Sequence, residues 1–252
     1  MPELSPPTLT TMLRSALYNV AFYLNLILWC AVAFPTLVLP RRYFMRVARL
    51  WGVSSVWLLK VIAGTDVRWS GLENLSDEGC ILASKHQSTW ETFALFLILK
   101  DPAFILKREL MFIPFFGWYL IKGDMIPVRR GQTGREGLAM LGQKAREAVA
   151  AGRQLIIFPE GTRRPAGAPA DYKSGVAHLY SATGARCVPV ALNSGLYWPR
   201  RALLKRPGTI EVEVLEPIAP GMRPKAFLAL LRERIETASA RLLAEGLRET
   251  GR

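Results

Sequence analysis

The sequence predicts an α/β domain on a mostly parallel sheet flanked by helices, with an N-terminal membrane-associated helical segment ahead of it. Three observations carry this. From about residue 66 short apolar runs alternate with amphipathic stretches, as in βα units whose strands are buried on both faces. Between Arg14 and Arg41 lie 26 residues without a charge, which is long enough for a membrane helix. Elsewhere the charges are spread along nearly the whole chain, 33 Lys+Arg against 20 Asp+Glu, which argues against a multi-span protein. The division this suggests is hydrophobic anchoring helices over 1–64 and an α/β domain over 65–252.

The N-terminal segment comes first. In 16–39 only Asn19, Asn25, Pro35 and Thr36 fall outside the apolar set, and Pro35 ends or kinks the helix. Three readings fit: a membrane anchor or half-inserted helical hairpin, a buried core helix, or a cleaved signal peptide with Ala31-Val32-Ala33 as its cleavage site. The run RRYFMRVAR that follows (41–49) carries four arginines, the mark of a cytoplasmic flank. Residues 50–59 are uncharged for only ten positions, too short to span, and suit a helix lying in the interface.

Beyond residue 66, strands are predicted over 67–70, 80–84, 103–106, 125–128, 155–158, 188–192 and 209–215. Helices are predicted over 89–99, 134–151, 175–183 and 223–247, the last with Phe227, Leu230, Leu231, Ile235, Leu242 and Leu243 on one stripe. The loop 162–175 is polar and rich in Gly and Pro.

Composition limits the function. A net charge of +13 with a mean hydropathy of +0.17 excludes disorder and points to polyanionic partners: nucleic acid, an anionic membrane or phosphorylated substrates. Three stretches, 41–49, 122–135 and 200–206, hold 11 of the 13 net charges. The three cysteines, Cys30, Cys80 and Cys187, show no metal or disulfide spacing, and the chain lacks the HExxH, P-loop and GxGxxG patterns, so neither metal nor cofactor is expected.

Four segments could carry chemistry. His86, in ILASKHQSTWET, follows an apolar strand and precedes a helix, where α/β folds place ligand-binding loops. Glu91 lies five residues on. The two meet if His86 sits in the loop and Glu91 in the first helical turn, giving a base held in one tautomer. Ser88-Thr-Trp-Glu91 equally fits a capping box, and both roles can coexist. His178 sits within a helical pattern and reads as structural. LIIFPEGTRR (155–164) runs a buried strand into Gly161, which permits a tight turn, and Arg163, whose planar fork suits phosphate; an ordinary strand-exit turn with solvated charges fits as well. In 106–130, Lys107, Arg108, Lys122, Arg129 and Arg130 edge a stretch of Met111, Phe112, Ile113, Phe115, Phe116, Trp118 and Tyr119, which suits an amphiphile or a core. WPRRALLKRP (198–207) reads as an interfacial loop on anionic lipid or a solvated surface loop.

HQSTWE, KRELMFIPFFG with IPVRR, FPEGTR and VPVAL, in that order, resemble the motifs of the 1-acyl-sn-glycerol-3-phosphate (lysophosphatidic acid) acyltransferases of the glycerolipid acyltransferase superfamily. The resemblance covers about 66–218 and the apolar N-terminus. It implies a glycerolipid acyltransferase-like fold, with His86 as catalytic base and Glu91 in the place of its partner carboxylate. That place is usually Asp, in H-x4-D; Glu is one methylene longer, and the dyad is expected to survive on a shifted backbone. It implies acceptor-phosphate binding by Lys107, Arg108, Arg129 and Arg130 and by the FPEGTR residues Glu160, Gly161, Thr162 and Arg163. Gly117 and the VPV residues Val188, Pro189 and Val190 are implied to be acyl-chain or structural positions.

The implied reaction moves an acyl group from acyl-ACP or acyl-CoA to the sn-2 hydroxyl of lysophosphatidate, by direct transfer and without a cofactor. The tetrahedral oxyanion needs N–H donors, for which helix N-terminal amides near Ser88 are the candidates. The expected partners are the acyl donor, lysophosphatidate or a related lysolipid, and an anionic membrane surface, with no nucleic acid. The expected location is the inner membrane with the site facing the cytoplasm. Rival readings are another lysolipid acceptor such as a lyso-ornithine lipid, a lysophospholipase, and a non-catalytic membrane or nucleic-acid binding protein.

Overall fold

A computed structural model describes residues 6–128 and 135–250. Seven strands form one sheet: β1 (Thr65–Ser70), β2 (Cys80–Ser84), β3 (Pro102–Lys107), β4 (Ile126–Val128), β5 (Gln154–Ile157), β6 (Cys187–Leu192) and β7 (Gly208–Val214). Their order is β1-β7-β6-β2-β5-β3-β4. Every pairing is parallel except β6 with β7, so the sheet is mostly parallel as expected. The central strands β2, β5 and β6 are buried at every residue, which is why CILAS, QLII and CVPVAL barely alternate. In β7 buried residues alternate with half-buried ones over its second half, because one face there is less covered. In register, Ala83 of β2 lies beside Ile157 of β5 and Pro189 of β6. The chains leaving all three strands therefore emerge side by side at one end of the sheet.

Helices cover the sheet. Before it lie α1 (Leu9–Ala33) and α2 (Arg41–Leu58). Between and after the strands come α3 (Glu91–Ala94), α4 (Phe116–Lys122), α5 (Arg135–Ala150), α6 (Gly175–Thr183), α7 (Ser194–Tyr197) and α8 (Pro224–Glu249). α8 buries Phe227, Leu231, Ile235 and Leu242, with Leu230 and Leu243 half-buried beside them. The helix expected over 89–99 is one α-turn followed by a 3-10 turn, Leu95–Leu97. Its C-terminal carbonyls are capped: Leu97 O and Leu99 O accept from the Arg49 guanidinium at 3.1 and 2.6 Å.

α1 and α2 form a hairpin. The turn between them starts as a 3-10 segment, Phe34–Leu37, holding Pro35. α1 presents a broad apolar face outward, with Leu13, Leu17 and Ile27 each about 60% exposed or more. That overturns the buried-core-helix reading. Its opposite face puts Tyr18 and Phe22 into the same core as Phe93, Val190 and Trp198. The helix is also pinned along its length: Arg14 Nε donates to Ile62 O at 2.5 Å, Tyr119 OH to Cys30 O at 2.6 Å, and Lys122 Nζ to Leu37 O, in the connecting turn, at 2.9 Å.

Two of the four arginines expected to flank a membrane instead tie α2 to the body. Arg41 makes a bidentate pair with Asp101 at 3.0 and 2.6 Å, and Arg49 caps the carbonyls named above. In the 198–207 segment, where Arg201 and Leu203 are exposed, Lys205 departs from both readings. Lys205 is buried, its Nζ donating to Asn19 Oδ1 at 3.1 Å and Leu203 O at 3.0 Å and lying 4.6 Å from the Trp198 ring centroid. With Ser15 Oγ, which accepts from Lys205 N at 2.9 Å, it clasps α1 to the body.

No carboxylate offsets this ammonium among the described residues, and burial lowers Lys205 to about 8 from 10.5. A lysine whose folded value lies below its unfolded one destabilises the fold while charged, and that cost is released as pH rises from about 8 toward 10.5. Thermal unfolding in detergent should therefore show wild type gaining stability relative to Lys205→Met across that window. A difference that stays flat with pH would contradict it.

Candidate active site

The site stands where β2, β5 and β6 end. After Ser84 the chain passes through Lys85, His86 and Gln87 before α3 begins at Glu91. The loop doubles back far enough for His86 Nδ1 to lie 2.9 Å from Glu91 Oε1. Glu91 is fully buried. Its Oε1 also accepts from Gln87 N and Ser88 N, each at 2.6 Å, and its Oε2 accepts from Ser194 Oγ at 2.9 Å. The carboxylate thus partners the imidazole and caps the helix at once. An ionised carboxylate only accepts, so the proton sits on Nδ1, and Nε2 is left as the lone-pair nitrogen. The ring is clamped flat on Phe158, with centroids 3.9 Å apart.

The extra methylene of Glu91 does not prevent contact with His86. The same geometry narrows the expectation that amides near Ser88 serve an oxyanion. Those of Gln87 and Ser88 are committed to Glu91, and that of Trp90 to Ser88 Oγ at 3.1 Å. Ser88 is buried under this cap, which suits a structural hydroxyl and not a nucleophile.

The second loop leaves β5 as Phe158-Pro-Glu-Gly-Thr-Arg. Gly161 has φ +62, a left-handed conformation that favours glycine, and its N–H closes the turn onto Phe158 O at 2.9 Å. Space is not the constraint, since an added Cβ would meet nothing nearer than Lys173 at 3.9 Å. Arg163 donates to Thr89 Oγ1, and its own carbonyl accepts from Arg200 Nη1 at 2.9 Å.

Glu160 departs from the phosphate-binding role expected of it. Its buried carboxylate accepts from Lys85 Nζ at 3.0 Å and from His86 N at 3.2 Å, and its charge would repel a phosphate. Arg164 N in turn donates to His86 O at 2.8 Å. Both peptide groups of His86 are therefore held by the 158–164 turn. Lys85 Nζ also meets Glu236 of α8 at 2.7 Å, and Tyr172 OH donates to the same Glu236 oxygen at 2.9 Å. Burial raises the Glu160 carboxyl above its ordinary value, while the Lys85 ammonium pulls it back.

His86 opens onto a cavity of about 1550 Å³, larger than a typical small-molecule pocket. Lys107, Thr162 and Arg163 line it, as do Arg200 and Arg201. Where the hairpin, α3, β3 and α4 form it the wall is apolar, including Trp29, Phe44, Trp51, Phe93 and Phe104, while Glu160, Asp171, Lys173 and His178 add polar groups to the lining. Arg108 is outside this lining, with its guanidinium 5.8 Å from the centroid of the Phe112 ring. Arg129 and Arg130 lie outside the described residues. Gly117 is structural, since an added Cβ would stand 2.0 Å from Met111 O. Val188, Pro189 and Val190 are wholly buried in β6 beside β2 and do not line the cavity. His178 bonds Leu138 O through Nε2 at 2.8 Å, joining α6 to α5.

The sequence reading missed Lys85, Gln87, Ser194 and Glu236, and it placed Arg200 and Arg201 on an interfacial or solvated loop and not in the cavity. Lys85 carried one usable signal, a lysine directly after a fully apolar strand, which requires a buried partner.

An acyltransferase family model matches residues 66–193. The chain is 38% identical over 239 residues to a 1-acyl-sn-glycerol-3-phosphate acyltransferase of Pseudomonas aeruginosa, covering 91% of each chain. It is 31% identical over 154 residues to a chloroplastic 1-acyl-sn-glycerol-3-phosphate acyltransferase of Brassica napus, covering 60% of this chain and 43% of that one. The crystal structure of the 1-acyl-sn-glycerophosphate acyltransferase PlsC of Thermotoga maritima shares the fold, with a TM-score of 0.77 over 92% of this chain and 97% of that one at 22% identity.

Removing Lys85 should be costly because it strands two carboxylates. Lys85→Met is expected to destabilise the fold by about 3–5 kcal/mol, read as a lower denaturation midpoint. A midpoint equal to wild type would show that the ammonium does not hold the two loops together.

Proposed function

The chain belongs to the acyltransferase family, and from that membership we propose that it moves a fatty acyl group from acyl-ACP or acyl-CoA to the sn-2 hydroxyl of 1-acyl-glycerol-3-phosphate, giving phosphatidate. One observation carries the reading. A single cavity holds an oriented imidazole, the cations Lys107 and Arg163, and a long apolar wall. These are the three things a phosphorylated lysolipid and an acyl thioester require.

In this reading the acceptor phosphate sits against Lys107 and Arg163, and its acyl chain lies along the apolar wall. His86 Nε2 takes the proton of the sn-2 hydroxyl as the oxygen attacks the thioester carbonyl. Glu91, on Nδ1, stabilises the imidazolium that forms. The tetrahedral intermediate then collapses: the carbon–sulfur bond breaks, and the departing thiolate takes the proton back from Nε2. Ser88 is engaged as a cap, which favours direct transfer over an acyl-enzyme. The thiol part of the donor, carrier protein or coenzyme, stays in water.

The membrane side follows from α1. It is apolar and long enough to cross a bilayer, yet α1 and the turn after it are hydrogen-bonded to the body from Ser15 to Leu37. That favours a hairpin lying half-inserted in one leaflet over a span. The proposed location is the inner membrane with the body on the cytoplasmic side, where acyl thioesters are available, and the anionic surface is met by the outward arginines of α2.

His86→Ala should lower kcat by about 10²–10⁴ without unfolding. Glu91→Gln should cost about 100-fold or more, because it disturbs the tautomer, whereas Glu91→Asp should retain part of the rate. Transfer to lysophosphatidate, measured with purified enzyme beside other lysolipids, tests the acceptor. An inert lysophosphatidate alongside an active lyso-ornithine lipid would reject it, and Glu91→Gln at the wild-type rate would leave Glu91 as a cap only.

A further inference from the structure

A second, smaller pocket of about 250 Å³ lies outside the catalytic cavity, between α2 and the start of β3. It is lined by Arg41, Arg42, Met45, Arg46, Arg49, Lys100 and Asp101, five cations against one carboxylate. We propose that it is a phosphate site that takes the headgroup of an anionic phospholipid in the membrane. The proposal rests on the membrane reading given above and adds a defined site to it.

The four arginines divide by their partners. Arg41 and Arg49 are fixed from behind, the first on Asp101 and Gly123 O, the second on the carbonyls of Leu97, Leu99 and Lys100. They form a rigid cationic floor. Arg42 and Arg46 are exposed, and their only recorded partner is Tyr43, over whose ring their guanidiniums lie at 5.0 and 5.9 Å from the centroid. Neither has a carboxylate partner among the described residues.

Left to itself the arrangement is unfavourable. Arg41 and Arg42 occupy the first turn of α2, which contains no acid, where the helix dipole disfavours cations. Arg42 and Arg46 are a like-charged i,i+4 pair. An anion between them relieves all of these terms, and a guanidinium fork matches phosphate oxygens two at a time.

The lipid source follows from what precedes the pocket. Val38 and Leu39, three and two residues before Arg41, are 89% and 42% exposed, and Phe34 is 53% exposed. Cations at the foot of an exposed apolar turn match a headgroup with its acyl chains. None of the pocket residues lines the catalytic cavity, so the site is separate from the one that acts on substrate.

The test is co-sedimentation of the full-length protein with phosphatidylcholine vesicles, with and without phosphatidylglycerol. Arg42→Gln/Arg46→Gln is compared with the exposed, charge-matched Arg232→Gln/Arg248→Gln. The pocket variant should bind anionic vesicles about tenfold more weakly or worse, bind neutral vesicles like wild type, and keep its rate on a short-chain soluble lysolipid. Arg42→Lys/Arg46→Lys, which keeps the charge and loses the fork, should recover only part of the affinity.

Equal losses in the control pair would overturn the proposal, because net charge alone would then suffice. So would full binding by the pocket variant, or a raised KM for an acyl-carrier-protein donor with vesicle binding unchanged. Saturable binding of inorganic phosphate that the substitutions abolish while vesicle binding stays intact would assign the pocket to a free anion and overturn it too. Wild type failing to bind any vesicle would instead reject the underlying membrane reading.

Discussion

One buried ammonium organises the site. Lys85 leaves a strand that is wholly inside the protein and cannot reach water, so its charge must be met there. Glu160 and Glu236 meet it. Because Glu160 belongs to the loop after β5 and Glu236 to α8, a single cation fixes two loops and the C-terminal helix relative to one another. The His86 backbone is then caught between Glu160 and Arg164, and the imidazole has one place to go, flat on Phe158 with Nδ1 on Glu91. Such a network is a weak source of net stability but strongly penalises being broken, which is the property a fixed base needs.

The cavity depends on a second constraint, the clasp between hairpin and body. The apolar wall facing His86 is built partly from α1 and α2, so the hairpin both presents its exposed apolar face outward and completes the site. Its attachments lie at both ends of α1 and at Lys205, and the body's own core continues into Tyr18 and Phe22. An amphiphile is thereby given a continuous path, with apolar walls under the hairpin and cations at the mouths of β3 and β5.

Much of this was readable from sequence for definite reasons. The central strands are short apolar runs because both their faces are covered, and they fall where expected. His86 and Glu91 stood out because a histidine between strand and helix sits where ligand-binding loops fall, with an acid placed to partner it or to cap the helix. The two readings of Glu91 do not compete in the structure, since its Oε1 meets both His86 Nδ1 and Ser88 N. What stayed hidden depended on long-range partners. Arg49, from a distant helix, caps the carbonyls at the end of the 89–99 segment. Glu160 looks like part of a phosphate loop until Lys85, seventy-five residues earlier in the chain, is seen to claim it. Lys205 reads as surface charge and is buried, because its acceptors come from α1. Charge clusters show sign in a sequence but not direction, and of the arginines in 41–49 two point in and two out.

The claim at the centre of this account is that His86 acts on the acceptor hydroxyl itself, with no acyl group passing through the protein. It is tested most directly by mixing enzyme with labelled acyl thioester in the absence of lysophosphatidate and following thiol release and protein-bound label. The account predicts no release beyond slow hydrolysis and no label on the protein until acceptor is added. A burst of about one thiol per enzyme with label retained on the chain, the signature of an acyl-enzyme, would contradict it.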